Sequence, residues 1–300
     1  MGMGKSFHDR YSSVRELYDR ASELLEFDLA TACFSGPEET LMRSDIVQPA
    51  VTVVNIACLT AVRELGIGAE AAAGHSLGEY AALHAAGVID FDATMRLVRE
   101  RGRVMQVAAD ANPGGMLAVM GLDVDRLEPV CKEAAAVGSV EIANHNSPGQ
   151  VILTGETAAL ETAAGLAKKA GAVYSVPLKV AGPWHSRFMR EAGQQMAKLL
   201  ADSRLGDLDI PVVANVSGDY YQGADSVRAG LARQVSSPVL WDASIRRLIG
   251  DGVGLFIELG PGTMLAGLVR DIDRSVRVTS VENPDSLSAL EEMLSGTAGT

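Results

Sequence analysis

Apolar positions recur first at helical spacing. In residues 11–27, Val14, Leu17, Tyr18, Ala21, Leu24 and Leu25 fall three or four apart, which predicts an amphipathic helix. Residues 49–65 are apolar on most sides and predict a buried helix, with Pro49 in its first turn and Gly66 just past its end. A small apolar run at 69–73 predicts a strand, and the helix formers of 77–86 a helix behind it. A third long helix is predicted over 91–109, with Asp90 or Asp92 as its N-cap.

The pattern changes at Asn112-Pro113-Gly114-Gly115. Short units follow: strand 116–120, helix 123–136, strand 140–143, a polar turn at 144–149, strand 150–154, helix 157–170 and strand 173–178. The order β-α-β-β-α-β is the ferredoxin-like split unit. A second break at Ala181-Gly182-Pro183 closes it. Beyond it come helix 187–200, strand 210–216, helices 225–234 and 241–250, and helix 264–270. The nearly all-apolar run 253–259, ending in Gly260-Pro261-Gly262, reads as a strand buried on both faces of a parallel sheet. The tail from Gly296 is expected to fray. The organisation read from this is a large α/β domain (1–112 plus 181–300) carrying a small ferredoxin-like insert (113–180).

Composition narrows the picture. The chain has 300 residues, 47% of them apolar, which suits a well-filled core. No apolar run reads as a membrane span, and the polar start MGMGKSFHDRYSS is not a secretory signal. The net charge of −12 argues against nucleic acid and anionic membranes. Cys33, Cys58 and Cys131 form no metal-type pair and read as reduced thiols of a cytoplasmic protein. No metal site and no bound cofactor are expected.

The chemistry centres on Gly74-His75-Ser76-Leu77-Gly78, a G-x-S-x-G pattern between a predicted strand and helix. Such an elbow pushes the serine hydroxyl out of the backbone. Gly74 and Gly78 are expected to be glycine because a side chain at either position would clash. The parallel sheet and elbow together suggest an α/β-hydrolase-like architecture. A serine nucleophile needs a base. Among five histidines, His185 stands where the chain re-enters the large domain, whereas His8, His75, His84 and His145 fit other roles. Arg101 lies between Leu97 and Met105 on the apolar stripe of its helix, so it needs a partner: an internal acid, or a substrate carboxylate held by paired hydrogen bonds.

Several segments carry a resemblance: GHSLGEYAAL at 74–83, RLVRERGRVMQ at 96–106, ANHNSPGQVILTG at 143–155, GPWHSRFM at 182–189 and FIELGPGTML at 256–265. In that order, over nearly the whole chain, the sequence resembles malonyl-CoA:acyl carrier protein transacylases and the related acyltransferase domains of fatty acid and polyketide synthases. The resemblance implies malonyl-CoA as substrate, an acyl carrier protein as partner and a monomer. It implies Ser76 as the acylated nucleophile, His185 as its base and Arg101 as the malonyl clamp. Gln234 matches the position whose backbone carbonyl orients the histidine, and Leu77 supplies an oxyanion N–H. Trp184 and Leu77 fit malonyl over methylmalonyl, and Lys179, Arg187 and Arg190 could meet the carrier protein. The family pattern opens with a strand and a glutamine-bearing loop that gives a second oxyanion donor. Met1–Lys5 resembles the stretch just after that loop, so both are expected to be missing from these residues. The alternatives are a thioester hydrolase on the same Ser–His pair, or a weakened form acting as a partner protein.

Overall fold

The computed structural model describes residues 1–297. Four helices open the chain: α1 (Lys5–Arg10), α2 (Ser12–Leu25), α3 (Leu29–Phe34) and α4 (Glu38–Leu41). The long α5 (Ser44–Glu64) leads to β1 (Ala72–Ala73), then α6 (Gly78–Ala85) and α7 (Phe91–Ala111). Next come β2 (Gly115–Met120), α8 (Val124–Ala134), β3 (Val140–Ser147), β4 (Gln150–Gly155), α9 (Thr157–Lys169) and β5 (Tyr174–Pro177). A 3₁₀ turn (Arg187–Met189) runs into α10 (Arg190–Asp202), followed by β6 (Val212–Val213), α11 (Ala224–Gln234), α12 (Trp241–Gly250), β7 (Leu255–Leu259), α13 (Met264–Ile272), β8 (Arg277–Val281) and α14 (Pro284–Thr297).

The long helices follow their apolar stripes. α2 buries Val14, Tyr18, Ala21 and Leu25, and Asp90 caps α7 by accepting from the Ala93 N–H at 2.7 Å. α5 differs from its prediction. It starts at Ser44, so Pro49 lies inside it, beyond the first turn. The Arg43 carbonyl already accepts from Ile46 and Val47, which starts the helix ahead of the proline. Gly102 of α7 lets the two helices touch: a Cβ there would sit 2.1 Å from the Ser44 carbonyl oxygen. By length and composition α5 could also cross a membrane, contrary to the sequence expectation, yet 61% of its most apolar stretch is buried inside the protein. It packs against α2, α6 and α7.

The parallel strands of the main body form two pairs. β1 pairs with β6, Ala72 opposite Val212, and β7 pairs with β8, Leu255 opposite Arg277. The run 253–259 is less buried than expected. All five residues of β7 are only partly buried, with Ile257 and Leu259 packed toward the core of α2 and α5 and Phe256 toward that of α12 and α13. β8 and α14 went unpredicted, and the tail expected to fray from Gly296 is helical to Thr297; residues 298–300 lie outside the described part.

β2 to β5 form one antiparallel sheet in the order β3-β4-β2-β5, with α8 and α9 packed on it, which is ferredoxin-like topology. Of the polar stretch 144–149 only Pro148 and Gly149 form the turn, between β3 and β4. β3 runs through the rest to Ser147, with register shifts after Ile142 and His145, so His145 sits on a strand. Tertiary contacts override turn propensity here. The His145 N–H donates to the Val239 carbonyl at 2.9 Å, and the Asn146 side chain meets His75 at 2.8 Å. β3 thereby joins this sheet to the elbow.

Candidate active site

The elbow is built as its sequence pattern predicts. Ser76 has φ of 50°, a conformation seldom adopted by a side-chain-bearing residue. A Cβ on Gly74 would lie 2.0 Å from the Gly78 backbone, so only glycine fits there. Gly78 is different: a Cβ on it would meet nothing within 4 Å. Its backbone is the surface that Gly74 packs on, and its own side chain has room. Sequence reasoning was therefore right for Gly74 and wrong for Gly78.

Two side chains hold the strained turn from below. The Asn215 side chain accepts from the Ser76 N–H at 2.7 Å and donates to the Gly74 carbonyl at 2.7 Å. The Gln234 amide nitrogen donates to the Ser76 carbonyl at 2.7 Å. Both residues are fully buried.

The Ser76 hydroxyl meets two buried groups. His185 Nε2 lies 2.7 Å from Oγ, and Arg101 Nη2 donates to Oγ at 3.0 Å. His185 also has positive φ, 58°, on a loop fixed by Ser186, whose hydroxyl accepts from the Phe188 N–H. His185 Nδ1 faces two carbonyl oxygens, Gln234 at 3.0 Å and Ser237 at 3.2 Å. Two acceptors there demand that Nδ1 carry the proton, which leaves the Nε2 lone pair for the serine. Burial, and then the Arg101 charge, push the imidazole down from 6.5 to about 3, so it is a neutral base at physiological pH.

Arg101 is 2% exposed and has no carboxylate hydrogen-bonded to it among the described residues. Nη1 donates to Gln48 Oε1 at 2.8 Å and Nη2 to Gln234 Oε1 at 2.9 Å, while Nε is buried with no partner among them. The Tyr80 ring lies 5.8 Å from its Cζ. A guanidinium seldom stays buried on neutral partners alone. Such a group can take up an anion. The Leu77 N–H, at the start of α6 and next in the chain to Ser76, has no protein acceptor among the described residues.

Residues 1–289 match the acyl transferase domain family. The chain belongs to that family. This acyltransferase is 38% identical over 288 residues to the malonyl CoA-acyl carrier protein transacylase of Bacillus subtilis, taking in 96% of this chain and 91% of that protein. It superposes on the malonyl CoA-acyl carrier protein transacylase of Clostridium perfringens with a TM-score of 0.95 at 36% identity, over 99% of this chain and 94% of that one. A malonyl-transacylase in complex with its holo type II PKS acyl-carrier protein superposes with a TM-score of 0.94 at 38% identity, covering 97% and 95%.

Four of the six residues singled out in the acyltransferase sequence, Ser76, Arg101, His185 and Gln234, are joined by hydrogen bonds, and Leu77 follows the serine at the start of α6. Trp184 makes no side-chain hydrogen bond to these residues. Its half-buried ring packs between the main core and the floor formed by Met116, Ala143 and Ile152. Gln234 does more than expected, since its side chain as well as its carbonyl serves the site. Sequence reasoning missed Gln48, Asn215 and Ser237, and Glu79, whose side chain accepts from Gln234. Glu79 alone had a visible signal: an acid inside the elbow motif, at the start of a helix of small and apolar residues.

Proposed function

We propose that this acyltransferase moves a malonyl group from malonyl-CoA to the phosphopantetheine thiol of an acyl carrier protein through malonyl-Ser76. The observation that carries it is the pair of buried groups on one hydroxyl, a neutral histidine and a guanidinium without a carboxylate.

His185 Nε2 takes the Ser76 proton as Oγ attacks the thioester carbonyl. The tetrahedral oxygen gathers its negative charge near the Leu77 N–H. His185 then returns the proton to the departing CoA sulfur, and malonyl-Ser76 remains. The carrier thiol attacks the ester carbonyl in turn, giving its proton to His185, and Ser76 leaves with that proton restored. Arg101 exchanges its contact with the serine hydroxyl for the malonyl carboxylate, whose two oxygens match its fork. The Gln234 carbonyl holds the histidine. Trp184, beside His185, fits a role in disfavouring an α-methyl branch.

For docking, Arg190 and Lys179 are exposed and uncommitted among the described residues, while Arg187 already pairs with Glu141 at 3.2 Å. An acidic carrier would therefore meet the first two most directly. The reading includes a monomeric, cytoplasmic enzyme of fatty acid or polyketide synthesis. The test is the fate of the acyl group: with malonyl-CoA and holo carrier protein, malonyl-carrier should form faster than free malonate. Malonate release at the same rate with and without carrier would mean a hydrolase.

A further inference from the structure

Glu79 is a carboxylic acid buried to 0% exposure behind the nucleophile, and the acyl-transfer steps do not use it. Burial pushes it up from 4.5 to about 7. Its surroundings consist of donors. Oε1 accepts from the Asn215 N–H at 2.9 Å and from the Tyr221 hydroxyl at 2.8 Å, and Oε2 accepts from the Gln234 side-chain amide.

The last contact matters because Gln234 can present either end of its amide. As it stands, the nitrogen faces three acceptors, the Ser76 carbonyl, Glu79 and, at 3.5 Å, Asn215 Oδ1, and the oxygen faces the donor Arg101 Nη2 at 2.9 Å. Turned over, the amide would set nitrogen against the guanidinium and oxygen against both a carbonyl and a carboxylate, with no hydrogen bond surviving on either side. We propose that Glu79 is a positioning residue for the carboxylate clamp: it locks the Gln234 amide with its oxygen on Arg101, and so sets the preference for acyl groups that carry a carboxylate. The proposal rests on the reading of Arg101 as the malonyl clamp. Glu79 never meets the substrate. It acts through Gln234, which with Gln48 fixes the guanidinium.

Glu79→Gln is the discriminating variant. The amide it introduces can keep an oxygen toward Asn215 and Tyr221, but it then presents a nitrogen to the Gln234 nitrogen and drives that amide over. The experiment measures kcat/KM for malonyl-CoA and for acetyl-CoA with one holo carrier protein as acceptor. E79Q should lower the malonyl-to-acetyl ratio by about tenfold or more, as expected for losing a hydrogen bond to a charged group, chiefly through a raised malonyl KM. Tyr221→Phe, which removes a Glu79 contact remote from Arg101, should lower the melting temperature and leave the ratio in place. Should E79Q not fold, Glu79→Met carries the same test: it removes the acceptor that faces the Gln234 amide and offers no new donor, and the ratio should again fall. Arg101→Ala separates the two levels of inference. If R101A collapses the ratio and E79Q (or E79M in its stead) leaves it at the parent value, Glu79 is structural only and the proposal fails. If R101A leaves the ratio unchanged, the clamp reading fails and takes the proposal with it.

Discussion

His185 and Arg101 reach the same oxygen, at 2.7 and 3.0 Å, but the protein holds them in opposite ways. The histidine is gripped by backbone: two carbonyls on Nδ1 and its own strained φ. Nothing near it needs to ionise for it to work. The arginine is gripped by side chains, two glutamine amides, with one nitrogen left unsatisfied. In the proposed reading the base is thus finished before substrate arrives, while the clamp is finished only by the substrate. Stored readiness on one side and stored need on the other are what a two-substrate transferase with a charged acyl group requires.

Variants can break each half separately. The largest effect is expected from His185→Ala, which should cut transfer of malonyl and acetyl groups alike by ~10²–10⁴-fold, the usual worth of a positioned base. Single-turnover acylation rates check it. Arg101→Ala should cut malonyl transfer by about a hundredfold and acetyl transfer far less, since only malonyl loses a charge pair. Removing that charge should also raise the His185 pKa, visible as a shifted imidazole titration by NMR. Equal losses for the two acyl groups would contradict the division of labour.

The smallest effect is on stability against pH. His185, held at about 3 in the fold against 6.5 when exposed, gives stability that is complete above 6.5 and lost as pH falls toward 3. Glu79 has the opposite sign: raised to about 7 from 4.5, its contribution is complete below 4.5 and lost as pH rises through 7. Between 4.5 and 6.5 the two offset each other. In E79Q the histidine contribution stands alone, so the acid loss of stability should begin near pH 6.5, at up to about 1.4 kcal/mol per pH unit steeper than the parent. Urea unfolding at stepped pH measures it, and identical slopes would remove the compensation.

Much of this was legible in the sequence because it is local. Helix 241–250 and the Asp90 cap follow from periodicity and capping chemistry, and Ser76 from its strand-to-helix turn. Arg101 announced itself as a charge on an apolar stripe. What was not legible depends on distance along the chain. Asn215 meets Ser76 from 139 positions away, and nothing in its own surroundings marks it; Gln234, 158 positions away, was marked by the resemblance for its backbone carbonyl, but not for the side chain that reaches Ser76 and Arg101. β1 and β6 shrank to two residues each because strand length is set by paired neighbours and not by apolar runs. Residues 144–147 were misread as part of the turn that Pro148 and Gly149 make, because asparagines that suit a turn suit equally well a strand whose side chains have partners on another element.

The central claim is that Ser76 carries the acyl group. The most direct measurement is the intact mass of the chain after brief exposure to malonyl-CoA, with Ser76→Ala beside it. The account predicts a malonyl adduct on the parent that holo carrier protein removes, and none on S76A. An adduct of equal yield on the folded S76A protein would contradict it.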